Sequence, residues 1–239
     1  MNRIAIIALA ALALVASPAL AKKATEPLQI YVLLDSGTGF DIAKTPTAAK
    51  DGSPENPSIE HVLRSMHGTL ANVKRSRFQR KRDIKITFID MMSSASSTRT
   101  PEEMYRIVTP ETFVDKYKPR FGMCTELSNA YQALDRKIKK AASVKSIVIV
   151  LSSNIDVAKK YCQSQSIPQV AFTEGLKESY KLGWMGNPNV KASYFIGSLP
   201  EKESVWYPQL EAKSHAGMTL EFLTLSESIN ELPAKLGSF

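Results

Sequence analysis

Three short stretches of the chain hold side chains that could do chemistry together. Asp35-Ser36-Gly37-Thr38-Gly39 closes one apolar run, Cys124-Thr125 opens an amphipathic stretch, and Ser152-Ser153-Asn154, with Asp156 just beyond, closes a second apolar run. A hard divalent cation takes carboxylate, hydroxyl and water oxygens as ligands, and Asp35, Thr38 and Thr125 are the residues here that would hold one. The same positions admit a hydrolytic reading in which Asp35 is the reacting carboxylate and Ser36, Thr125 or Ser153 assist it. Without metal or reaction, Asp35, Ser36, Thr38, Thr125, Ser153 and Asp156 are polar loop residues suited to contacting a partner.

Most other catalytic schemes find no footing. Leu33-Leu34-Asp35-Ser36-Gly37-Thr38 looks like the active-site loop of a pepsin-type aspartic protease, a chemistry that needs a second carboxylate sharing the proton. The run Phe88-Ile89-Asp90-Met91-Met92 lacks the Ser/Thr-Gly that should follow the second Asp. No G-x-S-x-G elbow, P-loop or H-E-x-x-H is present, and Gly37-x-Gly39 lacks the third glycine of a dinucleotide loop. His61, His67 and His215 share no ligand spacing and read as structural. No resident cofactor is expected, a Mg²⁺ or similar cation at Asp35, Thr38 and Thr125 being the one candidate.

The net charge of +8 is concentrated. Lys74, Arg75, Arg77, Arg80, Lys81, Arg82 and Lys85 stand against Asp83 alone, and the remainder is close to neutral. A nucleic-acid binder carries basic charge together with stacking aromatics, whereas Phe78 is the single aromatic in this run, so nucleic acid is not the expected partner. The patch reads either as a solvated helix-to-strand junction or as a binder of an anionic surface.

The elements that must position these residues alternate along the chain. Residues 28–34 (LQIYVLL) form a short apolar run, the pattern of a strand buried on both faces. Residues 44–57 hold three prolines and read as a long loop. Ile59, Val62, Leu63, Met66, Leu70 and Val73 then recur at helical spacing, with Ser58 as a cap. Residues 84–89 predict a second strand, 93–100 a hydroxyl-rich loop, and 101–117 one or two short helices. Leu127, Ala130, Tyr131, Leu134, Ile138 and Ala141 repeat the helical stripe, and residues 147–151 (IVIVL) predict a strand. Helices over 157–163, 173–182 and 204–214, strands over 191–196 and 219–225, and a last helix capped by Ser226 and bent at Pro233 complete the reading. Trp184 and Trp206 read as packing residues, with Gly183-Trp184-Met185-Gly186 as an exposed contact loop in the alternative. Strands separated by helices imply right-handed crossovers and a mainly parallel, open sheet with helices on both faces, in three layers. No linker divides this α/β domain, which occupies residues 22–239.

Residues 1–21 read as a secretory signal peptide. Arg3 precedes an apolar run too short to cross a bilayer, Ser17-Pro18 breaks it, and Ala19-Leu20-Ala21 offers a cleavage site. The mature protein is then expected in the periplasm or outside the cell, without a transmembrane anchor. In such an oxidising compartment Cys124 and Cys162 read as one disulfide, two buried thiols being the other reading.

The loop residues, taken in order, resemble a von Willebrand factor A-type domain. That family begins with a hydrophobic strand ending in Asp-x-Ser-x-Ser, follows with a loop Thr that opens a helix, and sets an Asp after the next strand. Together these hold a cation whose open position accepts a partner's carboxylate. Asp35 matches the first Asp, Thr125 the Thr, and residues 151–154 the family's Leu-Thr-Asp-Gly. Tyr194-Phe195-Ile196-Gly197 is similar to the penultimate strand, and residues 210–217 to the helix and turn before the last one. The departures are Gly37 and Gly39 in place of the two serines, and Ser153 in place of the last Asp. The resemblance therefore implies a vWA/Rossmann-like fold and a protein-interaction module of the cell envelope, a secretion apparatus or adhesion, with a degenerate, metal-independent site. Its partner would be an envelope or extracellular protein. A hydrolase using Asp35, and a basic binder of anionic surfaces working through Lys74 to Lys85, are the alternatives.

Overall fold

The structure, a computed structural model, describes residues 26–35, 59–73, 83–101, 103, 125–154, 175–198 and 200–239. The apolar run after residue 27 forms β1 (Leu28–Leu34), and the stripe after residue 58 forms α1 (Ile59–Val73). β2 (Ile84–Asp90) and β3 (Ser96–Arg99) follow, then α2 (Leu127–Lys140), β4 (Lys145–Leu151), a 3₁₀ turn (Gly183–Gly186) and β5 (Val190–Ile196). α3 (Pro200–Glu211), β6 (Thr219–Leu223) and α4 (Leu225–Gly237) complete the chain.

The six strands form one sheet in the order β3-β2-β1-β4-β5-β6, parallel throughout except for β3. Strand alternation sends successive side chains to opposite faces, and each face carries its own core. On one, Ile30, Val32, Ile86, Ile149 and Tyr194 pack under Val62, Leu63 and Met66 of α1 and Leu232 and Leu236 of α4. On the other, Leu33, Val148, Val150 and Phe195 pack under Tyr131 and Leu134 of α2, Trp184 of the 3₁₀ turn, and Trp206 and Leu210 of α3. The expected three-layer α/β arrangement is therefore present. Trp184, Met185 and Trp206 are buried, so the turn at residues 183–186 sends both its side chains into the core and leaves only Gly183 and Gly186 exposed, and it is not an aromatic contact loop.

α3 and α4 each hold an internal proline, Pro208 and Pro233, and α4 shows how the fold accommodates it. Pro233 in α4 has no N–H to give the carbonyl of Ile229, four residues earlier. Ser65 of α1 supplies the missing donor: its Oγ donates to the Ile229 carbonyl at 2.6 Å. Pro233 does not end α4, which runs on to Gly237, and the carbonyl it leaves open is bound into the α1–α4 contact.

Four local expectations need correction. Residues 96–99, read as loop, form β3, because Thr87 and Thr98 hydroxyls meet at 2.9 Å and β2 offers a free ladder edge. Residues 175–182, read within a helix, are not helical: the Leu176 N–H goes to Gln209 Oε1 of α3, and the Ser179 carbonyl accepts from Ser128 Oγ of α2. Side chains of neighbouring helices satisfy backbone groups that a helix would have used itself. α3 begins at Pro200, ahead of the expected residue 204. α4 is capped by Thr224, not Ser226; its hydroxyl accepts the Glu227 N–H while Glu227 takes the Thr224 N–H, a reciprocal capping box. The leader, the cap at Ser58, the loop 44–57, the helix expected over 157–163, Cys124 and Cys162 lie outside the described residues, as does the stretch 104–117. Among the described residues no helix is long and apolar enough to cross a membrane.

Candidate functional site

In an open α/β sheet the strand carboxyl ends gather the loops at one edge, and ligands bind there. The backbone ladder of this sheet runs one residue past the strands and fixes those loop roots side by side. Asp35 N–H donates to the Leu151 carbonyl at 3.0 Å, Ser152 N–H to Ile196 at 3.1 Å, and Gly197 N–H to Leu223 at 2.9 Å. Gly197 leaves β5 at φ +79°, a conformation open to glycine. The start of α2 is tied in through Glu126 N–H, which donates to Met91 at 3.2 Å, while Met91 N–H donates to Leu34 at 2.9 Å. Asp35, Thr125 and Ser152 are brought together by this frame.

The side chains close into one buried cluster. Thr125 Oγ1 donates to Asp35 Oδ1 at 2.5 Å, and Ser152 Oγ donates to Asp35 Oδ2 at 2.6 Å. Ser152 Oγ in turn accepts the Asn154 N–H at 2.9 Å. Asn154 stands at φ +56° and is held from two sides: Tyr131 OH of α2 donates to its Oδ1 at 2.8 Å, and its Nδ2 donates to Ser198 Oγ at 2.6 Å. Asn tolerates the left-handed region better than most residues, and the two side-chain bonds fix it there. Asp35 is 1% exposed, and Ser152 and Asn154 are fully buried.

Of the residues singled out in sequence, Asp35 and Thr125 are joined directly. Ser153 is buried next to the cluster, but the hydroxyl that reaches Asp35 belongs to Ser152. Ser36, Thr38 and Asp156 lie outside the described residues, as do Lys74, Arg75, Arg77, Arg80, Lys81 and Arg82. Ser152, Asn154, Tyr131 and Ser198 are the members that sequence reasoning missed. The signal for Asn154 was available: an Asn directly after a strand, standing where the resembled family has Gly, marks a left-handed turn.

Both Asp35 oxygens are thus engaged by hydroxyls in a buried site, which leaves neither turned toward solvent to attack a substrate. Asp90, a further acid at this edge at the end of β2, caps its own turn: Met92 N–H donates to Oδ1 at 3.1 Å and Ser93 Oγ to Oδ2 at 2.6 Å. Among the described residues the cluster offers one carboxylate, two hydroxyls already turned toward it, and a neutral amide, and no three His, Cys, Asp or Glu side chains converge. A divalent cation takes more oxygen ligands than these, and Ser36, Thr38 and Asp156, which a cation site would also draw on, lie outside the described residues. His215 sits in the turn before β6 with Nε2 and Nδ1 each 2.8 Å from a backbone carbonyl, of Val190 and Ala216, where it braces the chain.

No protein-family model matches the sequence, and no curated protein matches it. Among solved structures the chain is similar to the VWA domain of SpRpn10, at 8% identity over 87% of this chain and 95% of that one, with a TM-score of 0.47. It is similar to proximal thread matrix protein 1 of the mussel byssus, at 14% identity over 91% of this chain and 48% of that one, TM-score 0.44. A von Willebrand factor type A protein from Catenulispora acidiphila shares 12% identity over 89% of this chain and 43% of its own, TM-score 0.42. The chain thus spans a little under half the length of the last two. The chain itself has a six-stranded, mostly parallel sheet between helices, an open α/β fold.

Proposed function

We propose that this protein is an exported interaction module that binds an envelope or extracellular protein without a metal ion, using the loops at the carboxyl edge of the sheet. The observation that carries this reading is the closure of Asp35. Its carboxylate is buried and both oxygens accept hydroxyls, so the residue that would anchor a cation or start a hydrolysis braces the roots of three loops instead. A rigid platform under variable loops is the arrangement binding modules use. Export is supported by the leader pattern at residues 1–21.

The test is a pull-down from an envelope extract with the mature protein, run with and without EDTA. Retention of the same partner in both lanes is the expected result. Loss in EDTA overturns metal independence and means that residues beyond the cluster complete a cation site. No partner in either lane overturns the module reading in favour of the hydrolase alternative. Cell fractionation gives the export arm: a shortened chain in the periplasm or medium is expected, and a full-length cytoplasmic chain overturns it.

A further inference from the structure

The two edges of the sheet are built differently. β3, at one edge, is four polar residues, Ser96-Ser97-Thr98-Arg99, the short charged kind of strand that resists pairing with another chain. β6, at the other, presents Leu220 and Phe222. The Leu223 carbonyl accepts from Gly197 and so points to β5. By strand alternation Glu221 and Thr219 point the same way, and the backbone groups of Leu220 and Phe222 point outward.

The side chains follow the same division. Leu220 and Phe222 lie partly buried on the α3 face beside Val205 and Met218. Phe222 stacks on Phe195 at 5.1 Å and reaches Tyr207, 6.0 Å away and 36% exposed, the one exposed large hydrophobic among the described residues. Glu221, the sole charge on the strand, turns to the opposite face, where its Oε2 lies 2.7 Å from Lys235 Nζ of α4. An apolar strip and an outward-facing backbone thus coincide on the Tyr207 face, where the strand carries no charge.

We propose that this edge is the seat of a second copy of the chain, the two β6 strands pairing antiparallel about a two-fold axis at Glu221. The strand is self-complementary about that residue. Leu220 meets Phe222 of the partner subunit, so residues with outward N–H and C=O groups face each other and exchange hydrogen bonds, as directly opposed residues of an antiparallel ladder do. Large apolar side chains then oppose one another on the Tyr207 face. On the other face the two Glu221 carboxylates approach, each already bound to Lys235 of its own chain, which offsets a like-charge pair that would otherwise disfavour the contact. The contact is isologous and closes on itself, giving a dimer and not a fibre. It is also small, so association in the micromolar range or weaker is expected. The proposed partner-binding loops do not take part.

Sedimentation equilibrium of the whole mature chain over roughly 1 µM to 1 mM, spanning moderate to weak affinities, tests this. A reversible monomer–dimer equilibrium is expected. Amide exchange adds a positional readout: the Leu220 and Phe222 N–H groups gain protection in concentrated protein, while Glu221 and Leu223 are protected at every concentration. Leu220→Pro removes an outward N–H and leaves the β5 ladder intact, and proline is tolerated on that side of an edge strand. It should hold the protein monomeric with native circular dichroism. Should that variant not fold, Leu220→Lys places a charge on the edge and should have the same effect. A wild type that stays monomeric throughout, a folded Leu220→Pro that still dimerises, or exchange at Leu220 and Phe222 that ignores concentration would each overturn the proposal. A wild type that is monomeric alone and acquires this protection only on adding another protein would give the edge to a foreign strand, which also overturns it.

Discussion

Replacing Ser152 by Ala probes the cluster at its most connected point. The hydroxyl donates to a buried carboxylate oxygen at 2.6 Å and accepts the Asn154 N–H at 2.9 Å. A hydrogen bond to a charged group contributes about 1.5–3 kcal/mol, and a neutral one about 1 kcal/mol. With Asp35 and Asn154 both out of reach of water, little of that loss is recovered by solvation. The expected destabilisation is therefore about 3 kcal/mol, or a fall in Tm of roughly 6–12 °C for a chain of this size. Thr125→Val, which removes the donor to the other oxygen, should cost about 2 kcal/mol. The double variant should depart from additivity, since both hydroxyls serve one carboxylate. Differential scanning calorimetry and urea titration measure these values, with Ser153→Ala as the neighbouring control. A cost for Ser152→Ala below about 1 kcal/mol, or one no greater than that of Ser153→Ala, would refute the reasoning.

Two further expectations follow from other parts of the fold. Ser65→Ala leaves the Ile229 carbonyl without the donor that replaces Pro233's missing N–H, and should cost about 1–2 kcal/mol by urea denaturation. In a Pro233→Ala background the helix supplies its own donor, so the same substitution should cost markedly less. Glu227 is held below the usual carboxylate range by the Thr224 N–H, then by the Thr224 hydroxyl. Its contribution is therefore full above the unfolded Glu value of about 4.3 and is lost as pH falls through the lower folded value. The Tm difference between wild type and Glu227→Gln should narrow across that acid window; a difference independent of pH would contradict the assignment.

Much of the sheet could be read from residue order because strands buried on both faces need continuous apolar side chains, and 28–34 and 147–151 supply them with little ambiguity. β3 escaped because its residues carry no such pattern: Ser96 to Arg99 become a strand through what β2 offers them. The segment before the 3₁₀ turn misled in the opposite direction, its apolar residues suggesting a helix while Gln209 and Ser128 had already claimed its backbone. At the site, Asp35 and Thr125 were found because their positions follow from element ends. Ser152 was passed over for Ser153 because a one-residue difference decides which way a side chain faces, and that is set by register with β1 and β5. The capping box at Thr224 and Glu227 is written in the sequence as Thr-x-x-Glu, two residues ahead of a competing hydroxyl at Ser226.

The passage from β6 into α4 takes a single residue. Leu223 ends the strand, Thr224 caps, and Leu225 begins the helix, whose second turn is pinned through Ile229 and Ser65. No hinge between β6 and α4 has slack to open, so strand and helix must move as one piece. Slippage by one residue would likewise pull the cap out of its reciprocal bonds and turn Phe222 to the wrong side. An apolar edge that could otherwise slide along a neighbour is thus kept in one register by its own exit.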